Sequence, residues 1–158
     1  MDLDPLFPQA GRASLPGQKQ RLTRRSLPIA LLLAREATMA RFRPMLARHD
    51  ITEQQWRVIR MLDEYGEMDA SLLARRALVR APSLTRIVRV LEKRKLLRKR
   101  ADKLDSRRVL LSLGPAAGPL MAEVTPESLA IYKEIESSFG QRDMTLLLDL
   151  LERLIARG

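Results

Sequence analysis

The chain has 158 residues, of which 46% are hydrophobic, and it carries a formal net charge of +10 with no cysteine. This length and apolar content suffice for one domain with a buried core. The absence of cysteine excludes disulfides, thiol redox chemistry and cysteine-ligated zinc, and it fits a cytoplasmic protein. Because no run of 18 apolar residues occurs, we expect no transmembrane helix and no membrane partner.

Few residues are suited to catalysis or to metal binding. The chain has one histidine, no cysteine nucleophile and no glycine-rich phosphate loop, and its carboxylates do not cluster at the spacing of metal ligands. A metal would therefore depend on carboxylates and a single imidazole. We expect neither an enzyme nor a site for a metal or a cofactor.

The first 25 residues are rich in proline, glycine and basic residues and show little periodicity. They are predicted to form a flexible N-terminal arm, residues 1–25. Three roles remain open for the arm: contacts with phosphates through its five cations, packing against a partner subunit, or no role beyond that of a solvated tail.

A first long helix is predicted to begin at Leu27, with Ser26 as its N-terminal cap. Its apolar residues continue as far as Leu46 in a stripe that is broad for a surface helix. Pro44 lies within this stripe and lacks an N–H group, so we expect a kink there.

Two shorter helices are predicted to follow. The sequence Thr52-Glu-Gln-Gln55 is a capping box, which opens a helix that ends at Gly66. Asp69 is then expected to cap a short helix that continues through Ala77. Together they predict the first part of a helix-turn-helix.

The positive charge of the chain is concentrated in one segment, residues 75–108. It contains 14 Lys and Arg residues against three acidic residues, so its charge is +11 while the rest of the chain sums to −1. Such a local excess indicates a polyanion that docks on one part of the molecule.

Within this segment, apolar residues recur at the spacing of one helical face and predict a helix that begins near Pro82. These apolar residues are Leu84, Ile87, Val88 and Leu91. The opposite face carries residue types that bind base edges and phosphates of DNA. A solvated basic face is the alternative for such a helix taken alone. We predict that Ser83, Thr85, Arg86 and Arg89 face bases and that Arg80 and Lys93 contact phosphates.

Two short apolar runs, residues 96–101 and 109–113, flank a charged loop, a pattern typical of a β-hairpin with a long tip. A helix pair, a basic helix and a hairpin in this order predict a winged helix-turn-helix. In that fold the basic helix enters the major groove of double-stranded DNA, and the hairpin reaches the neighbouring minor groove.

This region resembles the MarR family of winged-helix repressors. The resemblance is carried by Leu84-Thr-Arg86, Leu91-Glu92, Leu96-Leu-Arg98, and Asp105-Ser-Arg107 with Leu113 six residues later. It extends roughly from Ser26 to the C-terminus. From it we expect Arg107 to enter the minor groove, with Asp105 orienting it through a charge-assisted bond. Lys95 stands where the family usually has a helix-capping glycine, and Gly114 stands where it usually has threonine.

After Gly114 the pattern predicts two further helical segments. Thr125-Pro126 either kinks the first segment or restarts it with Thr125 as a cap. The last segment, Met144 to Ile155, is apolar nearly all round and needs a second surface to cover it. The family resemblance implies that this surface belongs to another subunit, because the first helix and the last two form the dimer interface.

The expected fold is therefore mainly α with a small β-hairpin wing, in which N- and C-terminal helices form a dimerisation region. We assign residues 26–50 and 115–158 to that region and residues 51–114 to the winged helix-turn-helix lobe. A symmetric homodimer is expected to bind a pseudo-palindromic DNA site.

Residues 26–37, 42–46 and 51–59 resemble the subgroup of this family that represses homoprotocatechuate degradation. Such repressors release DNA when an aromatic acid binds. The resemblance implies a pocket between the dimer helices and the DNA-binding lobe, where an arginine holds a carboxylate and a tryptophan stacks on an aromatic ring. The effector-binding residues that we predict are Arg35, Arg43, Trp56 and His49.

The expected function is a ligand-responsive repressor of an aromatic-acid catabolic operon. Two alternatives remain open at this point: an architectural DNA-binding protein that senses no ligand, and a regulator of the same fold that responds to lipophilic drugs. Arginines in the pocket favour an acid over a neutral drug, which needs no buried cation.

Overall fold

The computed structural model describes residues 26–102, 105 and 108–157. In this part, the chain forms six helices and three short strands, which confirms the prediction of a mainly α fold with a β wing. Their bounds are α1 Leu27–Arg48, α2 Glu53–Tyr65, β1 Met68–Asp69, α3 Ala70–Arg76, α4 Ala81–Lys93, β2 Leu97–Ala101, β3 Val109–Leu113, α5 Ala117–Phe139 and α6 Gln141–Ile155. None of these six helices is long and apolar enough to span a bilayer.

The chain divides into two units, with the boundary between Thr38 and Met39 inside α1. In the first unit, the described part is the beginning of α1, which exposes the leucine side chains Leu27, Leu31, Leu32 and Leu33. The second unit contains every other element and one hydrophobic core.

The predicted capping residues begin α2 and α3. Thr52 Oγ1 accepts a hydrogen bond from the Gln55 N–H (3.3 Å), and the Gln55 side chain accepts one from the Thr52 N–H (2.9 Å). Asp69 Oδ1 accepts a hydrogen bond from the Leu72 N–H (2.8 Å). These bonds satisfy N–H groups that have no partner inside the helix, and they confirm both predicted helix starts.

The core of the second unit is built around the buried face of α4. Leu84, Ile87 and Leu91 are buried there, as the helical spacing predicts. The other helices supply Phe42, Met45 and Leu46 from α1, Val58, Ile59 and Leu62 from α2, Leu73 from α3 and Val124 from α5. Each fully buried aliphatic side chain contributes about 1.5–3 kcal/mol, so α4 is fixed firmly by its apolar face.

The wing is part of a three-stranded antiparallel sheet with the order β1-β3-β2. Strands β2 and β3 are the predicted hairpin, and their register pairs Leu97 with Leu113. The sequence does not predict β1, in which Met68 pairs with Leu111. Two residues are too few to show the alternation of a strand. Strand β1 thus joins the wing to the beginning of α3.

Helices α1, α3 and α4 are each followed, two residues after their last residue, by a non-glycine residue in the left-handed conformation: Asp50 (φ 54°), Leu78 (φ 50°) and Lys95 (φ 57°). After α4, the Lys95 N–H donates to the Glu92 carbonyl and the Leu96 N–H donates to the Leu91 carbonyl, both at 2.9 Å. This pair of bonds is a Schellman motif. Lys95 thus adopts the conformation for which the family usually employs glycine.

The C-terminal helices differ in one respect from the sequence interpretation. Helix α5 continues without interruption past Pro126, so the alternative of a restart at Thr125 is wrong. Helix α6 has no buried residue, and its leucines Leu146, Leu147, Leu148, Leu150 and Leu154 are exposed in the single chain. On α5, Leu129, Tyr132 and Phe139 are also exposed.

Candidate nucleic-acid interface

The face of α4 opposite the core carries the side chains that we predict to contact DNA. Arg80, Thr85, Arg86, Arg89 and Lys93 are exposed, and Ser83 is half-buried. The Thr85 hydroxyl donates to the Ala81 carbonyl (3.1 Å), which leaves its oxygen able to accept a hydrogen bond. The structure therefore brings these six residues together on α4 and at its N-terminal cap, as the sequence predicts.

A cleft of about 370 Å³ lies between α4, the beginning of α3 and the wing. Its apolar lining includes Val88 and Leu111. At its edge, Lys99 Nζ on β2 binds Glu92 Oε2 on α4 at 2.8 Å. This ion pair connects the basic helix to the wing.

The wing is also anchored to the helix-turn-helix by Asp69. While Asp69 Oδ1 caps α3, Asp69 Oδ2 lies 2.7 Å from the Arg108 guanidinium at the base of β3. The Leu72 N–H, followed by Arg108, lowers the pKa of the Asp69 carboxyl below its usual value. A second ion pair on the same side joins Glu67 to Arg100, with 2.9 Å between Arg100 Nε and Glu67 Oε2. Sequence reasoning finds the cap but misses Arg108, which lies 39 residues further along the chain.

The tip of the wing is described only in part. The Arg108 N–H donates to the Asp105 carbonyl (2.9 Å), and the Asp102 N–H donates to the Arg108 carbonyl (2.9 Å). These bonds close the loop at its base. Arg107, the residue predicted to enter the minor groove, lies outside the described residues. Its role and the orienting role of Asp105 remain predictions.

Two of the predicted effector residues lie around Glu53 at the beginning of α2. Arg43 Nη2 is 3.8 Å from Glu53 Oε2, and Arg57 binds the other Glu53 oxygen at 3.0 Å. Trp56 follows Glu53 by three residues and therefore lies on a neighbouring part of the same helix face. It is half-buried and packs against the core.

Arg60 is a cation near Trp56 that the sequence interpretation does not include. It stands one helical turn after Trp56 and is exposed. The i, i+4 spacing of Arg60 from Trp56 is the sequence signal that the two residues are neighbours on the helix surface. Arg35, by contrast, belongs to the first unit, and its place in the effector site remains a prediction.

His49 binds two carboxylates of α5. Its side chain is only 14% exposed, with Nε2 2.7 Å from Glu127 Oε1 and Nδ1 3.5 Å from Glu123 Oε2. Glu127 also pairs with Arg48. The hydrogen bond from His49, followed by that from Arg48, lowers the pKa of Glu127. In this structure both ring nitrogens therefore face α5. The sequence gives no signal of this cluster because its partners lie 78 residues apart.

Comparison with known proteins supports the fold. The sequence profile of the MarR family matches residues 49–108. The chain is 41% identical over 133 residues to the homoprotocatechuate degradative operon repressor of Escherichia coli, with 84% of this chain and 90% of that protein covered. It is 43% identical over 129 residues to the HTH-type transcriptional regulator FarR of Neisseria gonorrhoeae, with 82% and 88% covered.

Among solved structures, NadR in complex with 4-hydroxyphenylacetate is similar to this chain with a TM-score of 0.76 and 40% sequence identity. The match covers 83% of this chain and 96% of NadR. A protein solved in complex with 4-hydroxyphenylacetate thus shares most of this fold.

Proposed function

The chain belongs to the MarR family, and we propose that it is a ligand-responsive repressor that binds double-stranded DNA through its winged helix-turn-helix. The observation that carries this proposal is the arrangement of α4. One face is buried in the core, and the other presents exposed arginines beside an anchored wing. A cationic helix held in this way fits the major groove of DNA.

In this proposal, the exposed residues of the lobe have distinct roles. Ser83, Thr85, Arg86 and Arg89 contact base edges, while Arg80 and Lys93 contact phosphates and fix the register of α4. Arg107 enters the minor groove, and Asp105 orients it. We expect Arg107→Ala to weaken binding to the operator strongly and to leave the quaternary structure intact. Unchanged operator affinity in fluorescence anisotropy would exclude this role of the wing.

The functional unit in this proposal is a homodimer. The exposed leucines of α6 and the exposed apolar residues of α5 would be covered by a second copy, together with the leucines at the beginning of α1. Residues 26–50 and 115–158 would form the dimerisation region. Two symmetric lobes then contact half-sites about one helical turn of DNA apart, which makes the operator a pseudo-palindrome.

The effector that we propose is a small aromatic acid of the hydroxyphenylacetate type, and the regulated genes form an aromatic-acid catabolic operon. Support comes from the similarity to the homoprotocatechuate operon repressor and to NadR with its bound acid. In this chain, Arg43, Trp56 and the predicted residue His49 would bind the acid, and Arg60 adds a cation one helical turn after Trp56. Arg35, in the first unit, stays a separate predicted effector residue. The acid shifts the dimer towards a state whose lobes no longer match the operator spacing, which requires different affinities for the two states.

The proposal is tested with labelled DNA from upstream of the protein's own gene. Anisotropy first measures specific binding, and phenylacetic, hydroxyphenylacetic and cinnamic acids are then added. We expect one acid to release the DNA, while an alcohol of the same ring and chain length does not. Specific binding that no acid disturbs would overturn the effector class, and release by lipophilic neutral compounds would support the drug-responsive alternative. Equal affinity for unrelated DNA would support an architectural protein instead.

The single tryptophan of the chain gives an independent test of the effector site. Because Trp56 is the only tryptophan, the fluorescence of the protein reports on this residue alone. We expect that fluorescence to change when the acid binds beside Trp56 in the absence of DNA. We expect Arg43→Gln to raise the acid concentration needed for this change and Arg41→Gln, an exposed cation on the same helix, to leave it unaltered. Equal behaviour of the two variants would remove Arg43 from the site.

A further inference from the structure

Arg94 differs from the DNA-facing cations of α4 because its guanidinium binds the protein itself. Its Nη2 donates to the His49 carbonyl at 3.1 Å, and its Nη1 donates to the Asp50 carbonyl. The residue is only half-exposed, whereas its neighbours Lys93 and Lys95 are exposed.

The two carbonyls that Arg94 binds belong to His49 and Asp50, the two residues that follow the C-terminal end of α1. That helix closes with Asp50 in the left-handed conformation, and its last carbonyls have no partner inside the helix. A cation is favoured there because the C-terminal end of a helix is electronegative. Arg94 is at the same time the C-cap of α4, where its N–H donates to the Val90 carbonyl (3.2 Å). One residue therefore joins the ends of two helices.

The end of α1 is held on its other side by α5. Arg48 and His49 bind Glu127, and His49 also faces Glu123. A continuous series of polar contacts thus runs from α5 through the end of α1 to Arg94 and α4. It connects a helix of the proposed dimerisation region with the helix that is proposed to read DNA.

We propose that Arg94 is a positioning residue that sets the orientation of α4 relative to α5, and thereby the half-site spacing that the dimer reads. The inference rests on the proposed DNA-binding function. Two charge-assisted hydrogen bonds fix the end of α4 in two directions, which a single bond does not. A small rotation of α4 about its buried face would change the separation of the two basic helices in a symmetric dimer.

The experiment uses the full chain and a series of operator duplexes whose two half-sites are moved apart or together by one or two base pairs. Anisotropy gives Kd for each duplex, and the dependence of Kd on salt counts phosphate contacts. The first variant is Arg94→Ala. Arg94→Lys keeps the cation but not the two-pronged geometry. Glu127→Gln weakens the contacts of α5 with the end of α1. Lys93→Ala, the exposed neighbour predicted to contact a phosphate, is the matched comparison.

For Arg94→Ala, we expect about tenfold weaker binding at the natural spacing. We also expect a loss of preference among the duplexes and an unchanged salt slope. Arg94→Lys and Glu127→Gln should also weaken the preference among the duplexes, to a smaller extent. Lys93→Ala should instead lower the salt slope by about 0.9 and keep the spacing preference.

Three results would overturn the inference. A wild-type spacing preference in Arg94→Ala shows that Arg94 positions nothing, and a salt slope lower by about 0.9 identifies it as a phosphate contact. If circular dichroism shows that Arg94→Ala does not fold, an unaltered spacing preference in both Arg94→Lys and Glu127→Gln has the same meaning. Wild-type protein that binds none of the duplexes would overturn the proposed DNA-binding function itself, whereas the other results leave that function intact.

Discussion

Among the glycines of the described residues, Gly114 is the one where an added methyl group meets the closest atoms. A Cβ atom on Gly114 would lie 2.2 Å from the Lys95 carbonyl oxygen and 2.8 Å from its carbonyl carbon. Both atoms belong to the backbone, so no flexible side chain moves aside to relieve the clash. Gly114→Ala must therefore displace the end of β3 from the segment that follows α4.

The expected destabilisation combines two contributions. Overpacking in a closed site costs about 1–3 kcal/mol. The displacement also disturbs the bonds from the Gly114 N–H to the Leu96 carbonyl (2.9 Å) and from the Ala116 N–H to the Lys95 carbonyl (3.0 Å). Each such bond contributes about 1 kcal/mol, so we expect a total loss of about 3–5 kcal/mol.

Urea unfolding followed by circular dichroism measures this loss as a lower midpoint, by about 1–2 M urea. The protein concentration is kept constant because unfolding of a dimer depends on it. The matched control is Gly118→Ala in the first turn of α5, where an added Cβ meets no atom within 4 Å. There we expect a gain of up to about 1 kcal/mol, because alanine favours the helix.

Lys95→Gly provides a second test of the same geometry. Lys95 is left-handed, with φ 57°, and glycine at this position relaxes the segment that carries the obstructing carbonyl. The double variant Lys95→Gly, Gly114→Ala should therefore recover about 1 kcal/mol relative to the sum of the single effects. The reasoning is refuted if Gly114→Ala is as stable as Gly118→Ala, or if the two substitutions are strictly additive.

Three further predictions concern the wing anchor, the reading face and the dimer. Asp69→Asn keeps a capping oxygen but loses the ion pair with Arg108, so its melting temperature at pH 7 should be lower than that of the wild type. Because the pKa of Asp69 is lowered on folding, this stabilisation is present above about pH 4 and is lost as the pH falls through the folded-state value. The two melting curves should converge in acid, and a constant difference down to pH 2 would contradict the ion pair. Arg89→Ala should cost about 1–3 kcal/mol against the operator and much less against random DNA, which competition anisotropy measures. Leu150→Glu places a charge on an exposed leucine of α6 and should yield a monomer in light scattering, whereas Leu150→Met should remain a dimer.

The elements that the sequence predicts well are those determined by neighbouring residues. The apolar spacing from Leu84 to Leu91 defines the buried face of α4, because helical periodicity is a local property. The same holds for the capping box at Thr52, whose bonds span three residues. The exposed face that we predict to contact DNA follows from the same periodicity, since a known buried face also identifies the opposite one.

The features that the sequence does not predict depend on residues far apart in the chain. Strand β1 exists because Met68 meets Leu111 in the folded protein. The hydrogen bonds of Arg94 to the protein itself also depend on distant residues, because its two acceptor carbonyls lie more than 40 residues earlier. At Pro126, the local sequence is compatible with a restart of the helix, but α5 continues through that residue. Tertiary context overrides the low helix propensity of proline there.

Asp69 has a consequence for how the lobe opens. One of its oxygens caps α3 and the other holds Arg108, while its main chain pairs with Leu110 in the sheet. Detachment of the wing therefore uncaps α3, and unravelling of α3 releases the wing. In native-state hydrogen exchange, the amides of β3 and α3 should open as one cooperative unit with a shared free energy. A fluctuating molecule would thus present α3 and the wing to DNA either both in place or both detached.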